Sequence, residues 1–203
     1  MNVDRINQYI SDLESTAAAR SDGSRKEFID MGFWQIGDNS HGRVTGPTIL
    51  VENLDEFHGC GNTACAGGYL ALTDQFKAVG GGPSPEFGSP VLPDGDGNEL
   101  RCEKAFAEFF GFSIPLADAI TACLTDWDVD DDILSIQAIR LQKALEDFVE
   151  REWQNWDVQD LIKIMSAIRD GEIDLVPRVS DRFSPDEADH AFGEGNWVYD
   201  DEA

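Results

Sequence analysis

Basic residues are what this chain has least of for its size: five lysines, ten arginines and three histidines in 203 residues. Against forty Asp and Glu they leave a formal net charge of −25. A surface of that sign repels nucleic acid and anionic lipid, so direct electrostatic binding to either is excluded. It attracts basic surfaces instead, including those that normally grip DNA or RNA. Long apolar runs are also missing. No segment approaches the roughly eighteen consecutive apolar residues of a membrane span, and no membrane association is expected. The first twenty residues are broken by Asp4, Arg5, Asp12 and Glu14, so they do not read as an export leader. Cysteine is sparse at four; without a leader, these are expected as free thiols in a reducing, cytoplasmic setting. No P-loop, no G-x-G-x-x-G after a strand, no G-x-S-x-G and no H-E-x-x-H occurs. The expectation is a non-enzymatic protein with no cofactor.

What is present points to a folded chain. Hydrophobic residues make up 41 %, with twelve Phe and five Trp, too apolar for a disordered acidic tail. The length suffices for one sizeable core, so the charge must sit on its surface. The charge is uneven. Residues 1–100 carry fifteen acids and six bases, and residues 101–203 carry twenty-five acids and nine bases. Asp outnumbers Glu. Adaptation to high salt and recognition of a basic partner both account for such a composition.

Periodicity gives the organisation. Val3, Ile6, Tyr9, Ile10, Leu13 and Ala17 recur at helical spacing and predict a helix over 3–19. Residues 27–36 are an aromatic run that fits a short helix or buried strand, and Thr48–Val51 is strand-like. A helix is expected to open after Asn62 or Thr63 as N-cap and to run to about Phe76. Residues 80–98 are rich in Gly and Pro and hold a linker or a small hairpin around Val91 and Leu100. Apolar stripes then predict helices over 101–111, 115–125, 133–152 and 157–169. In the third, Ile133, Ile136, Ile139, Leu141, Ala144, Leu145, Phe148 and Val149 make the buried face, with Gln142, Lys143, Glu146, Glu150 and Arg151 opposite. Ser184 followed by Pro185 marks a further helix start. The fold class expected is mainly α with a few short strands (α+β), with a bundle-like C-terminal half. Its parts are an N-terminal subdomain 1–80, a linker or hairpin 81–100 and an acidic helical subdomain 101–203, sharing one core.

The motif with the most chemistry in it is Cys60-Gly61-Asn62-Thr63-Ala64-Cys65-Ala66-Gly67-Gly68. A thiol at a helix start is a candidate nucleophile, with His58 or His41 as base. His58, Cys60 and Cys65 with Cys102 or Cys123 are a candidate zinc set, although Cys-x4-Cys is not the usual knuckle spacing. The plainer reading makes both cysteines small buried hydrophobes in a tight loop-to-helix turn, a structural motif of Cys60, Gly61, Thr63, Cys65 and Gly68. No metal is assigned. The segment resembles the Cys-Gly-Thr-x-x-Cys-x-x-Gly signature of small, mostly uncharacterised bacteriophage and prophage proteins, as do Met31-Gly32-Phe33-Trp34 upstream and Phe109-Phe110-Gly111-Phe112 downstream. The likeness spans residues 27–150 and departs at Asn62, where the signature has Thr. It implies phage origin and a location in the host cytoplasm, and no activity.

Aspartates cluster twice. Asp126-Trp127-Asp128-Val129-Asp130-Asp131-Asp132 imitates the start of a calcium loop but has Asp131 where the loop needs Gly and Gln137 where it needs Glu. Asp94-Gly95-Asp96-Gly97-Asn98 reads as a turn. The function expected is an acidic protein that faces a basic host protein, one that binds nucleic acid, as a nucleic-acid mimic or inhibitor of a defence or transcription enzyme. The candidate face is Asp126, Asp128, Asp130, Asp131, Asp132, Glu146, Asp147, Glu150 and Glu152. Alternatives are a virion accessory protein anchored through Trp153, Trp156 and Trp197, or a metal-binding protein or enzyme built on Cys60 and Cys65.

Overall fold

The computed structural model describes residues 1–19, 29, 31, 54, 64–85, 88–121 and 132–200. The expected strand at Thr48–Val51, most of the aromatic run at 27–36, and the residues His41, His58, Cys60, Gly61, Asn62, Thr63, Cys123, Asp126, Asp128, Asp130 and Asp131 lie outside them. The chain is mainly helical with a few short strands, an α+β architecture. The described helices are α1 (Val3–Ala19), α2 (Ala66–Leu70), α3 (Asp74–Lys77), α4 (Cys102–Phe110), α5 (Ile114–Thr121), α6 (Ile133–Val149), α7 (Val158–Asp170) and α8 (Pro185–Phe192). None is long and apolar enough to cross a membrane.

The first helix forms where its periodicity places it. Ile6, Tyr9, Ile10 and Leu13 turn inward with Thr16, while Val3 stays 42 % exposed. The inward face meets an aromatic cluster. The Tyr9 ring lies edge-on to Tyr69 at 5.8 Å, to Phe106 at 6.4 Å and to Phe110 at 5.4 Å, and Phe76 meets Phe109 at 5.2 Å. Such pairs add about 0.5–1.5 kcal/mol each beyond the burial of their area. α1 also packs along α7, and α5 along α6, so one buried cluster joins residues from both halves of the chain. The start of α1 docks on the end of α4, where the Asn2 N–H donates to the Phe110 carbonyl at 2.7 Å. Gly111 makes this approach possible: its φ is +66°, and a Cβ there would lie 3.1 Å from the Met1 nitrogen.

One expectation about the middle of the chain is corrected. The helix after the Cys-Gly segment does not run unbroken to Phe76. It stops at Leu70, because the Thr73 hydroxyl and N–H both donate to the Leu70 carbonyl, at 2.9 and 3.0 Å, and a new turn starts at Asp74. Of the linker or hairpin expected over 81–100, the hairpin forms, with a third short strand beside it. β1 (Gly82–Pro83), β2 (Pro90–Pro93) and β3 (Glu99–Arg101) pair antiparallel in that order, with Leu92 opposite Leu100, and β2 and β3 pack on α4. The Asp94 carboxylate closes the β2–β3 turn by accepting from Asp96 N, Asn98 N and Asn98 Nδ2.

The last part of the chain is held to α6 by an unexpected residue. Gln137 is 3 % exposed, and its side-chain amide donates to the Arg178 carbonyl and accepts the Arg178 N–H. It thus pairs with β4 (Arg178–Val179) as a strand would. On its other edge β4 pairs in parallel with β5 (Val198–Tyr199), and Ser184 caps α8 in a capping box with Glu187. The buried face of α6 is rotated from expectation: Gln137, Ala138, Leu141, Gln142 and Leu145 are inside, while Ile139 and Ala144 face outward. Trp156 is no surface anchor. It is 2 % exposed, with its indole N–H donating to the Arg151 carbonyl at 3.0 Å.

Phe106, fully buried against Tyr9, Phe110 and Phe112, carries the test of this core. Phe106→Ala is expected to cost about 3–5 kcal/mol of unfolding free energy, a large share of the roughly 5–15 kcal/mol of an ordinary domain. Urea denaturation followed by tryptophan fluorescence measures it, and a loss under about 1 kcal/mol would mean that the cluster does not hold the halves together.

Candidate functional site

The cysteine segment contributes packing where it is described. Cys65 is 1 % exposed and is itself the N-cap of α2, its Sγ accepting the Gly68 N–H at 3.4 Å; this corrects the expected cap at Asn62 or Thr63. Gly68 is buried within that five-residue helix. Tyr9 donates to the Ala66 carbonyl at 2.7 Å, and Tyr69 donates to the Asp12 carbonyl at 2.8 Å with Thr16 Oγ1 2.6 Å away. These hydroxyls brace α1 against α2. Burial above all, with Tyr69 alongside, raises the Tyr9 hydroxyl well above its ordinary value, so it stays protonated. Cys102 carries a free thiol, and burial raises it above the ordinary value. Among the described residues no group of three or more His, Cys, Asp and Glu could hold a metal ion.

The described members of the candidate acidic face divide between the two ends of α6. Asp132 is the N-cap, accepting from Leu134 N at 2.8 Å, Ser135 N at 3.1 Å and the Ser135 hydroxyl at 2.6 Å. The Ser135 hydroxyl first, and the two backbone donors after it, hold its carboxyl below the ordinary value. Glu146, Asp147, Glu150 and Glu152 lie about 21 Å away, fourteen residues along the helix. Glu146 accepts the Trp153 N–H at 3.1 Å, and Lys143 pairs with Asp147 at 2.8 Å. Glu150 and Glu152 project into solvent with no ion pair among the described residues.

The positive charge is used close by. Of the eleven Lys and Arg among the described residues, nine lie against a group of the same chain. Arg140 pairs with Asp200 at 3.0 Å, Arg151 with Asp157 and Asp160 at 2.8 and 2.6 Å, Arg169 with Asp170 at 2.7 Å and Arg178 with Asp174 at 2.9 Å. Arg101 pairs with Glu99, and Lys143 with Asp147. Arg5 donates to the Phe109 carbonyl at 2.6 Å and covers that ring, Lys163 donates to the Phe148 carbonyl at 2.9 Å, and Arg182 sits over Phe183. Exposed pairs of this kind stabilise by about 0–1 kcal/mol each. Their larger effect is to leave few cations for the acids that remain. Residues 170–203 hold eleven acids against two arginines, and in this stretch Glu172, Asp181, Asp186 and Glu194 are exposed without an ion pair among the described residues.

One carboxylate stands apart. Asp118 is half-buried on α5, and its carboxyl is pushed up to about 7, by burial first and then by the charges of Glu103 and Asp132. No described cation pairs with it. The one trace of it in the sequence is an Asp set inside an apolar helix, Leu116-Ala117-Asp118-Ala119-Ile120.

Comparison with family models, with curated proteins and with solved structures finds no match to this chain.

Asp118 gives a pH test with a definite sign. The folded chain keeps this proton up to about pH 7, whereas an unfolded aspartate releases it near 3.8. The folded state therefore binds the extra proton between those values, and the group's contribution to stability falls as pH rises from about 4 to about 7. Asp118→Asn is expected to raise stability at pH 8 by about 1–2 kcal/mol, discounted for the solvent that reaches the carboxyl, and by progressively less as pH approaches 4. Urea midpoints of both proteins across this range measure it. A difference independent of pH would contradict the assignment.

Proposed function

We infer that this protein is a non-enzymatic binding protein that presents an acidic surface to a basic surface on another protein. The observation that carries the reading is how the charge is used: nine of the eleven described cations are engaged within the chain, while acids at the C-terminal end of α6 and along residues 170–200 stay exposed and uncompensated. A rigid array of carboxylates of this kind competes with phosphates for Lys and Arg, so the partner class is a protein that itself binds nucleic acid. A duplex carries one negative charge per about 1.7 Å of axis, and a net charge of −25 is that of roughly a dozen base pairs. The likeness of residues 27–150 to phage-encoded proteins directs the search for that partner to a bacterial host, where such a protein would inhibit a defence or transcription enzyme.

Affinity capture from bacterial lysate tests the reading. The bait is expected to retain a basic nucleic-acid-binding protein at about 0.05 M salt and to release it at about 0.5 M, where screening shortens the Debye length several-fold. Added duplex DNA or RNA is expected to compete. Glu150→Gln with Glu152→Gln, two cap positions whose side chains make no capping hydrogen bond or ion pair, is expected to weaken retention without changing the melting temperature. Recovery of no basic protein at low salt, or retention indifferent to salt and to nucleic acid, would remove the proposal.

A further inference from the structure

Between the α4–α5 corner, the first turn of α6 and the C-terminal segment lies a cavity of about 460 Å³. Its walls include the apolar side chains of Phe112, Ile114, Leu134, Leu175 and Phe192, with Ser113 and Asn196 among the polar groups that share the lining. The volume falls at the lower end of the roughly 300–1,000 Å³ of small-ligand sites, enough for one or two large side chains. The apolar surface continues outside it. The Val198 N–H donates to the carbonyl of the lining residue Pro177 at 2.9 Å, which places β5 beside the cavity; there Val198 and Tyr199 are each 47 % exposed, as is Val176. The Trp197 ring stands edge-on to Tyr199 at 4.9 Å.

Elements that supply a wall also supply acids close to it in the chain. Asp132 caps α6 two residues before Leu134, Asp174 precedes Leu175, and Asp189 and Glu194 flank Phe192. The two cations of the C-terminal segment offset part of this. Arg178 is paired with Asp174, and Arg182 lies over Phe183. Asp189 accepts the Trp197 indole N–H at 2.7 Å, a bond that leaves its charge in place. An apolar recess beside an acidic surround disfavours an anionic occupant and favours an apolar group carried by a cationic segment, the arrangement of an anchor pocket with a charged rim.

We propose that this cavity is the anchor site for the basic partner, taking one bulky apolar side chain from a segment in which Lys or Arg flanks it on both sides. The assignment rests on the acidic-surface reading above and adds to it the place and the sequence chemistry of the contact. The charges steer and hold the segment, and the buried anchor sets its register and most of its residence time.

Three synthetic twelve-residue peptides test this against the isotope-labelled full chain by NMR titration: Trp flanked by Lys and Arg, the same peptide with Ala in place of Trp, and the Trp peptide with Gln in place of every base. The basic Trp peptide is expected to shift resonances of Phe112, Leu134 and Phe192 and to bind about tenfold or more tighter than its Ala counterpart. Ala191→Phe, which fills the cavity from α8, is expected to abolish that advantage while leaving binding of the Ala peptide unchanged. The titration of the unaltered chain needs no variant to fold. Equal binding of the two basic peptides, with shifts away from the cavity, would overturn the anchor site and leave the acidic-surface reading standing. Binding of the Trp peptide regardless of its flanking charge would overturn that reading and, with it, the cationic occupant assigned here.

Discussion

Self-repulsion is the constraint that every part of this chain must answer. A net charge of −25 on 203 residues works against compactness, and the fold counters it in three ways. The aromatic cluster around Tyr9, Phe106 and Phe110 buries large rings from three parts of the chain. Acids are placed at helix starts, where their charge is favourable: Asp132 on α6, Asp157 and Asp160 on α7, and Glu187 on α8. Nine of the eleven described cations are set against acids, carbonyls or rings of the same chain. Arg151 shows the economy of this arrangement, meeting Asp157 and Asp160 while those two carboxylates form the capping box of α7.

The consequence for function is that neutralisation is local and incomplete. It is least complete at Glu150 and Glu152 and along residues 170–200. That segment has little core of its own: Val179 and Ala188 are its buried apolar residues. It is held to the body by the Gln137 amide on the backbone of Arg178 and by the Arg140–Asp200 pair. An acidic segment fastened at a few points beside an apolar recess is suited to meeting another molecule, since Glu172, Asp181, Asp186 and Glu194 on it are exposed and make no ion pair among the described residues.

Much of the scaffold was legible from spacing alone. α1, α4, α6 and α7 fall where their apolar periods place them, Ser184 caps α8, and Leu92 pairs with Leu100 in the expected hairpin. The errors have a common physical origin in contacts distant in sequence. Gln137 was no part of the expected buried face, because its partner, the backbone of Arg178, lies forty-one residues away; with it turned inward, Ile139, two residues on and on the opposite side of the helix, faces outward. Cys65 replaced Asn62 and Thr63 as the α2 cap through a thiol contact to Gly68 that propensity does not anticipate. The acidic face was read as one surface, yet its described members sit at opposite ends of α6, because helical rise separates residues that a charge count groups together. The cavity is assembled by the packing of the start of α5, the first turn of α6 and the C-terminal segment, and no local pattern encodes that.

The central claim is that the anionic excess is gathered at particular places and is not an even coat. Paramagnetic relaxation of backbone amides by a cationic nitroxide, divided by that from a neutral nitroxide of the same size, maps the local potential directly in solution. The account predicts the largest ratios at residues 146–152 and 170–200, collapsing toward unity in high salt. A ratio uniform over all exposed amides would contradict it and would leave acidity as a property of solubility alone.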